Sequence, residues 1–111
     1  MTSQSSLPEY DTELALYHEA FEPEIRQAIA ALSLQSDMRV LDVPCGDGFY
    51  TKLLAEHVTE QDAIVGADNL PAYLQRGEET VEEADVQERT TFVRADAYRL
   101  PFQDGEFDVV W

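Results

Sequence analysis

Val40-Leu41-Asp42-Val43-Pro44-Cys45-Gly46-Asp47-Gly48-Phe49-Tyr50 is the stretch that decides the fold. Arg39 to Val43 is short and β-rich, and Pro44 and Gly46 close it, so it reads as a strand. Thr51 to Val58 reads as a helix. A tight glycine turn joins the two. A turn without side chains lets backbone N–H groups approach a ligand, and the helix N-terminus behind it adds positive potential. Gly-x-Gly alone occurs in many turns, so its meaning depends on the residues further along the chain.

Towards the C-terminus the alternation continues. Ala63 to Asp68 reads as a second strand, and Pro71 opens a helix to about Ala84. Gly77 sits inside that helix, where glycine costs ~1 kcal/mol relative to alanine. Thr90 to Ala95 reads as a third strand. After the turn Gln103-Asp104-Gly105, Phe107 to Trp111 begins a fourth. Strands alternating with helices predict an α/β fold: a Rossmann-like, doubly wound parallel sheet with helices on both faces. Right-handed crossovers then bring the glycine turn to the ligand-binding edge of the sheet.

Towards the N-terminus the period is helical. Leu14, Tyr17, Phe21, Ile25, Ala28, Ile29 and Leu32 form one apolar stripe, with Tyr17 and Phe21 as core residues. Pro23 predicts two helices, 11–20 and 23–33, since proline suits a first helical turn and breaks an interior one. Residues 1–9 are polar and expected to be loose. The chain thus divides into a helical segment, 1–37, and a partial α/β domain, 38–111.

Composition narrows the function. Twenty-three acidic residues against seven basic leave a net charge of −16, which repels phosphate backbones and argues against nucleic acid. No apolar run is long enough to span a membrane, and the first residues do not resemble a signal peptide. Cys45 is the single cysteine, so an intrachain disulfide and a cysteine-cluster metal site are excluded and a cytoplasmic setting is expected. Cys45 reads as a small packed residue, His18 as a helix-surface or interface residue and His57 as an exposed helix residue.

Two further acidic positions sharpen the glycine turn. Asp68 ends the second strand about 20 residues past Gly48, where nucleotide-binding α/β folds hold ribose hydroxyls. Asp68 also suits helix capping ahead of Pro71. Asp96 comes just after the third strand, placed to meet an adenine amino group or to serve as a plain turn residue. Asp42 remains open between a ligand-facing role and pairing with Arg39.

Taken together, VLDVPCGDG, GADN and VRADAYRLPFQDGEFDVV resemble, in order and spacing, the first three motifs of class I S-adenosylmethionine-dependent methyltransferases of the type 11/25 kind. The resemblance covers about residues 38 to 111. It implies S-adenosylmethionine as cofactor and roughly four strands of a larger sheet. It places Asp42 near the cofactor's methionine amino group, and Gly46 and Gly48 against its methionine and ribose. Asp68 would hold the ribose hydroxyls, Asn69 would flank adenine or ribose, and Asp96 with the backbone of Ala97 would meet the adenine edge. Pro44 departs from the pattern: it stands where the family has its first glycine and removes an N–H. A turn that is altered and still binds is the expectation.

Two other functions stay in view. One is a non-catalytic domain that keeps the fold and the cofactor. The other is a nicotinamide-dependent oxidoreductase, whose fingerprint would need a glycine where Thr51 stands. The methyl acceptor is not legible. The resemblance also sets the fourth strand beside the first as an open apolar edge. That edge is expected to be covered by more chain or by a partner copy in a homodimer.

Overall fold

The computed structural model describes residues 7–111, so the expected loose N-terminus lies mostly outside the described residues. The elements are helix α1 (Asp11–Ala30), strand β1 (Val40–Asp42), helix α2 (Phe49–Ala55), strand β2 (Ile64–Asp68), helix α3 (Pro71–Glu83), strand β3 (Thr90–Arg94) and strand β4 (Val109–Val110). A 3-10 turn at Gln87–Arg89 leads into β3.

The strands form one parallel sheet in the order β3-β2-β1-β4. From β1 to β2 to β3 the chain steps one way across the sheet. It then returns past β1 to place β4 on the other side. Right-handed crossovers therefore put α2 and α3 on one face and the connection into β4 on the opposite face. The side chains agree. Val40, Ile64 and Val109 pack with Leu53, Leu54 and Val81 in the helix-side core. Leu41, Val65 and Ala67 point the other way, under Phe102 and Phe107 from the 96–108 connection. Helices were expected on both faces; among the described residues that second face is covered by a loop. The reversal of strand order lies between β1 and β4, and crevices at such a reversal bind ligands in open α/β sheets.

Two expectations for the N-terminal region are corrected. One continuous helix replaces the two, with Pro23 inside it. Pro23 and Glu19 both lie on the exposed side, where water can serve the carbonyl that proline leaves without a donor. The buried stripe is also rotated. His18 and Ile29 are buried, with Leu14 and Ile25 half-buried. Tyr17 and Phe21 are exposed, at 51% and 46%, and pair with each other 4.7 Å apart. A helix that touches the domain mainly through α2 needs only a narrow apolar seam.

Gly77 has a packing reason. A Cβ there would stand 2.7 Å from the Phe92 ring of β3. A Cβ on Gly66 of β2 would meet the same ring at 2.7 Å. Two missing side chains thus make the socket for one phenyl ring, and α3 lies close on the sheet as a result.

Candidate functional site

The glycine turn between β1 and α2 is held from several sides. Cys45 N–H donates to Ala67 O at 2.8 Å, tying the turn to β2. Gly46 N–H donates to Asp68 Oδ2 at 2.9 Å. The Thr80 hydroxyl of α3 donates to Asp47 O at 2.8 Å. Asp47 Oδ1 accepts from Phe49 N–H at 3.1 Å and so satisfies one of the free donors that open α2. Gly46 and Gly48 both adopt positive φ, +53° and +84°, which favours glycine. Their surroundings differ. A Cβ on Gly48 would come within 2.8 Å of Gly77 Cα, whereas a Cβ on Gly46 would meet nothing within 4 Å. Gly48 serves packing, and Gly46 presents bare backbone to open space.

That space is a cavity of ≈ 330 Å³ between the turn, the end of β2 and α1. Pro44, Gly46, Asp47 and Asp68 line it from the sheet edge. Tyr10, Leu14 and His18 wall it from the α1 side, and Tyr50 and Tyr73 close it from α2 and α3. The mixture is aromatic and acidic, which suits a cationic ligand with apolar parts.

Of the residues expected at the site, Gly46 and Asp68 line this cavity. Asp42 and Gly48 lie beneath the turn, both buried. Asp42 accepts a hydrogen bond from Thr51 Oγ1 at 2.7 Å and makes no pair with Arg39, which instead reaches Glu106. Burial pushes the Asp42 carboxyl up to about 7; Thr51 opposes the shift, and Asp68 and Asp47 add to it. Asp68 is buried, and each of its oxygens already accepts a backbone N–H, from Gly46 and from Leu70 at 2.9 Å. Asn69, Asp96 and Ala97 are exposed, outside the cavity lining. Asp96 Oδ1 accepts from Tyr98 N–H at 2.9 Å, the turn role. The end of β3 nevertheless abuts Asp68, because Ala95 N–H donates to Asp68 O at 3.1 Å.

Sequence reasoning missed His18. Expected at a surface or interface, it is 4% exposed and faces the turn. Its ring stacks on Phe49 at 4.2 Å with planes 9° apart, and burial lowers its pKa. The signal was present as a histidine in step with Leu14, Ile25 and Ile29 on one helix face. Tyr73 is buried too, and its phenol is pushed up first by that burial. Cys45 is packed as expected, and burial pushes its thiol up, away from nucleophile chemistry. His57 is exposed as expected, but it lies in the turn after α2 rather than on the helix. Among the described residues no group of His, Cys, Asp and Glu is arranged to hold a metal ion.

A parallel sheet with a glycine turn after β1, next to its switch point, and an acidic end on the neighbouring β2 defines a nucleotide-cofactor-binding α/β domain. Residues 40–111 match the family model described as a methyltransferase domain, and the chain belongs to that family. It is 33% identical over 85 residues to the demethylmenaquinone methyltransferase of Lactiplantibacillus plantarum, covering 77% of this chain and 36% of that protein. It is 34% identical over 103 residues to the 27-O-demethylrifamycin SV methyltransferase of Amycolatopsis mediterranei, covering 92% and 37%. A solved SAM-dependent methyltransferase from Geobacter sulfurreducens, in complex with S-adenosyl-L-homocysteine, superposes with a TM-score of 0.55 at 29% identity, covering 68% and 30%. The chain thus spans little more than a third of the curated relatives it matches.

Proposed function

We propose that this chain carries the cofactor-binding half of an S-adenosylmethionine-dependent methyltransferase, and that the cavity under α1 takes the methionine and sulfonium end of the cofactor. The observation that carries the proposal is Gly46: a left-handed glycine with open space where a Cβ would stand, beside the Asp68 carboxylate and at the reversal of strand order. The residues present fit such a ligand. Asp47 and Asp68 line the cavity and Asp42 lies beneath it, suiting a ligand with a sulfonium and an ammonium group. The cofactor, when bound, supplies a methyl group on an electron-poor sulfur.

The chain's own residues bind and orient. The Gly46–Gly48 turn offers backbone to the methionine portion, and Asp42 lies below it with a carboxyl that ionises near neutrality. Each Asp68 oxygen keeps a second lone pair that can accept from a ribose hydroxyl. Asn69, Asp96 and Ala97 lie further along the same edge, suited to flank adenine. Pro44 lines the cavity without a donor, so the turn presents its N–H groups from Gly46 onward. Holding donor and acceptor in line is worth up to ~7–11 kcal/mol of a transfer barrier.

A small-molecule acceptor is favoured, because the two relatives act on demethylmenaquinone and 27-O-demethylrifamycin SV. The net charge of −16 speaks against nucleic acid. Among the described residues no helix is long and apolar enough to cross a membrane, and a cytoplasmic setting is proposed. The outer edge of β4, with Val110 63% exposed, would be covered by a further strand or by a partner copy.

Calorimetric titration with S-adenosylhomocysteine and, separately, NAD tests the proposal. Binding of the first alone supports it, and Asp68→Ala should weaken that binding about ten- to a hundredfold. Binding of NAD alone would favour an oxidoreductase. Binding of neither would overturn the cofactor assignment and make Pro44 the first position to revert to glycine.

A further inference from the structure

Helix α1 closes one wall of the cavity through very few buried side chains. Only His18 and Ile29 are buried along it, and Ile29 belongs to the helix-side core near the far end. His18 is therefore the buried anchor of the half that walls the cavity. Its ring lies flat on Phe49, with Tyr50 and Tyr17 set edge-on at 5.2 Å and 6.2 Å. Both ring nitrogens are enclosed and have no hydrogen-bond partner. Asp47 Oδ2 stands 3.7 Å from Nδ1, beyond hydrogen-bond reach. A neutral imidazole suits this slot as a flat plug. An imidazolium would bring a charge and a second N–H donor into the slot, where neither nitrogen has an acceptor within hydrogen-bond distance and Asp47 stands only at ion-pair range from Nδ1.

We propose that His18 is a proton-sensitive latch: neutral, it holds the N-terminal half of α1 over the cavity; protonated, it lets that half go and opens the wall formed by Tyr10, Leu14 and His18. The coupling to a ligand rests on the proposed cofactor assignment; the latch itself does not. The groups facing His18 divide. Asp47 of the glycine turn and Asp11 of α1 favour the charged form, and Lys52 of α2 opposes it. Phe49, Tyr50 and Tyr17 present rings, and Tyr73 of α3 lines the same cavity. Burial outweighs these charges, so His18 in the closed form titrates below the ordinary 6.5.

Above pH 6.5 the imidazole is neutral in both forms, and closure is unaffected. Below it, the free imidazole of the open form takes a proton that the closed form refuses. Closure then weakens about tenfold per pH unit until the closed form's own pKa is reached, and levels off beyond it. A ligand that needs the wall closed binds more weakly over the same interval, and by reciprocity its binding lowers the His18 pKa further.

The test is an NMR titration of the histidine ring protons in the full chain, with and without S-adenosylhomocysteine. The chain has two histidines, so His18→Phe assigns both resonances. The expected result is a His18 midpoint below 6.5 that falls again when S-adenosylhomocysteine is bound. Amide exchange protection over residues 14–20 should fall about tenfold per pH unit below 6.5 in the wild type and stay flat in His18→Phe. If that variant fails to fold, His18→Leu takes its place, and the wild-type titration stands by itself. A His18 midpoint at or above 6.5, or the same loss of protection in the variant, overturns the latch. S-adenosylhomocysteine binding that leaves the His18 midpoint unmoved overturns the coupling of the latch to the ligand. A low midpoint and a pH-dependent wall in a chain that binds no S-adenosylhomocysteine would sustain the latch and refute the cofactor assignment.

Discussion

Gly46→Ala and Gly48→Ala form a matched pair that separates two costs at one turn. Both glycines sit at positive φ, where an alanine Cβ crowds its own backbone at a cost of about 1–2 kcal/mol. Gly46 would meet that cost alone, since its Cβ would have nothing within 4 Å. At Gly48 the new methyl would stand 2.8 Å from Gly77 Cα and 3.3 Å from Gly77 O. These are backbone atoms of α3, and they cannot rotate away as a side chain could. Forced overpacking of this kind adds about 1–3 kcal/mol. Gly48→Ala should therefore lose about 2–5 kcal/mol in all. Urea unfolding of the two variants under identical conditions measures the difference. With a slope of about 2 kcal/mol per molar, Gly48→Ala should unfold about 0.5–1.5 M earlier than Gly46→Ala. The order should reverse for ligand affinity in folded protein, because the Gly46 methyl projects into the proposed site. Equal midpoints would refute the claim that α3 is held against the turn by a missing side chain.

Other outcomes rest on the same geometry. Gly77→Ala should destabilise by about 1–3 kcal/mol, and Phe92→Leu should recover part of the loss; additive losses in a double-mutant cycle would break the socket explanation. Asp42 binds its proton more tightly folded than unfolded, so its contribution to stability falls as pH rises from about 4, and the loss is complete above about 7. Asp42→Asn should hence gain on the wild type with rising pH and level off past neutrality, as read from unfolding midpoints between pH 4 and 8. Thr51→Val removes the one hydroxyl that donates to that carboxylate; it should cost about 1–3 kcal/mol and move the levelling point upward.

The order of strands and helices was legible because the period changes from helical to alternating where glycine or proline interrupts it. Val40-Leu41 and Ile64-Val65 alternate between the two faces of the sheet, and that alternation is local. The lining of the cavity was legible at Gly46 and Asp68, where a strand end and a glycine turn place it, whereas Gly48 packs beneath. The lining was not legible where tertiary packing rotates an element. The stripe through Tyr17 and Phe21 satisfies helical spacing as well as the stripe through His18 does. The rings of α2, Phe49 above all, and the core that receives Ile29 decide between them. Gly77 read as a local defect for the same reason, since its partners Phe92 and Gly48 are distant in sequence. Pro23 read as a break because nothing local says which side of α1 faces water.

The socket at Phe92 binds three positions, 66, 77 and 92, into one unit of inheritance. A larger residue at either glycine is tolerated only after the ring has shrunk, so substitutions there must arrive in a fixed order through a loosely packed intermediate. Descendants of this chain that keep the phenyl ring should keep both glycines, and those that have lost either glycine should have lost the ring.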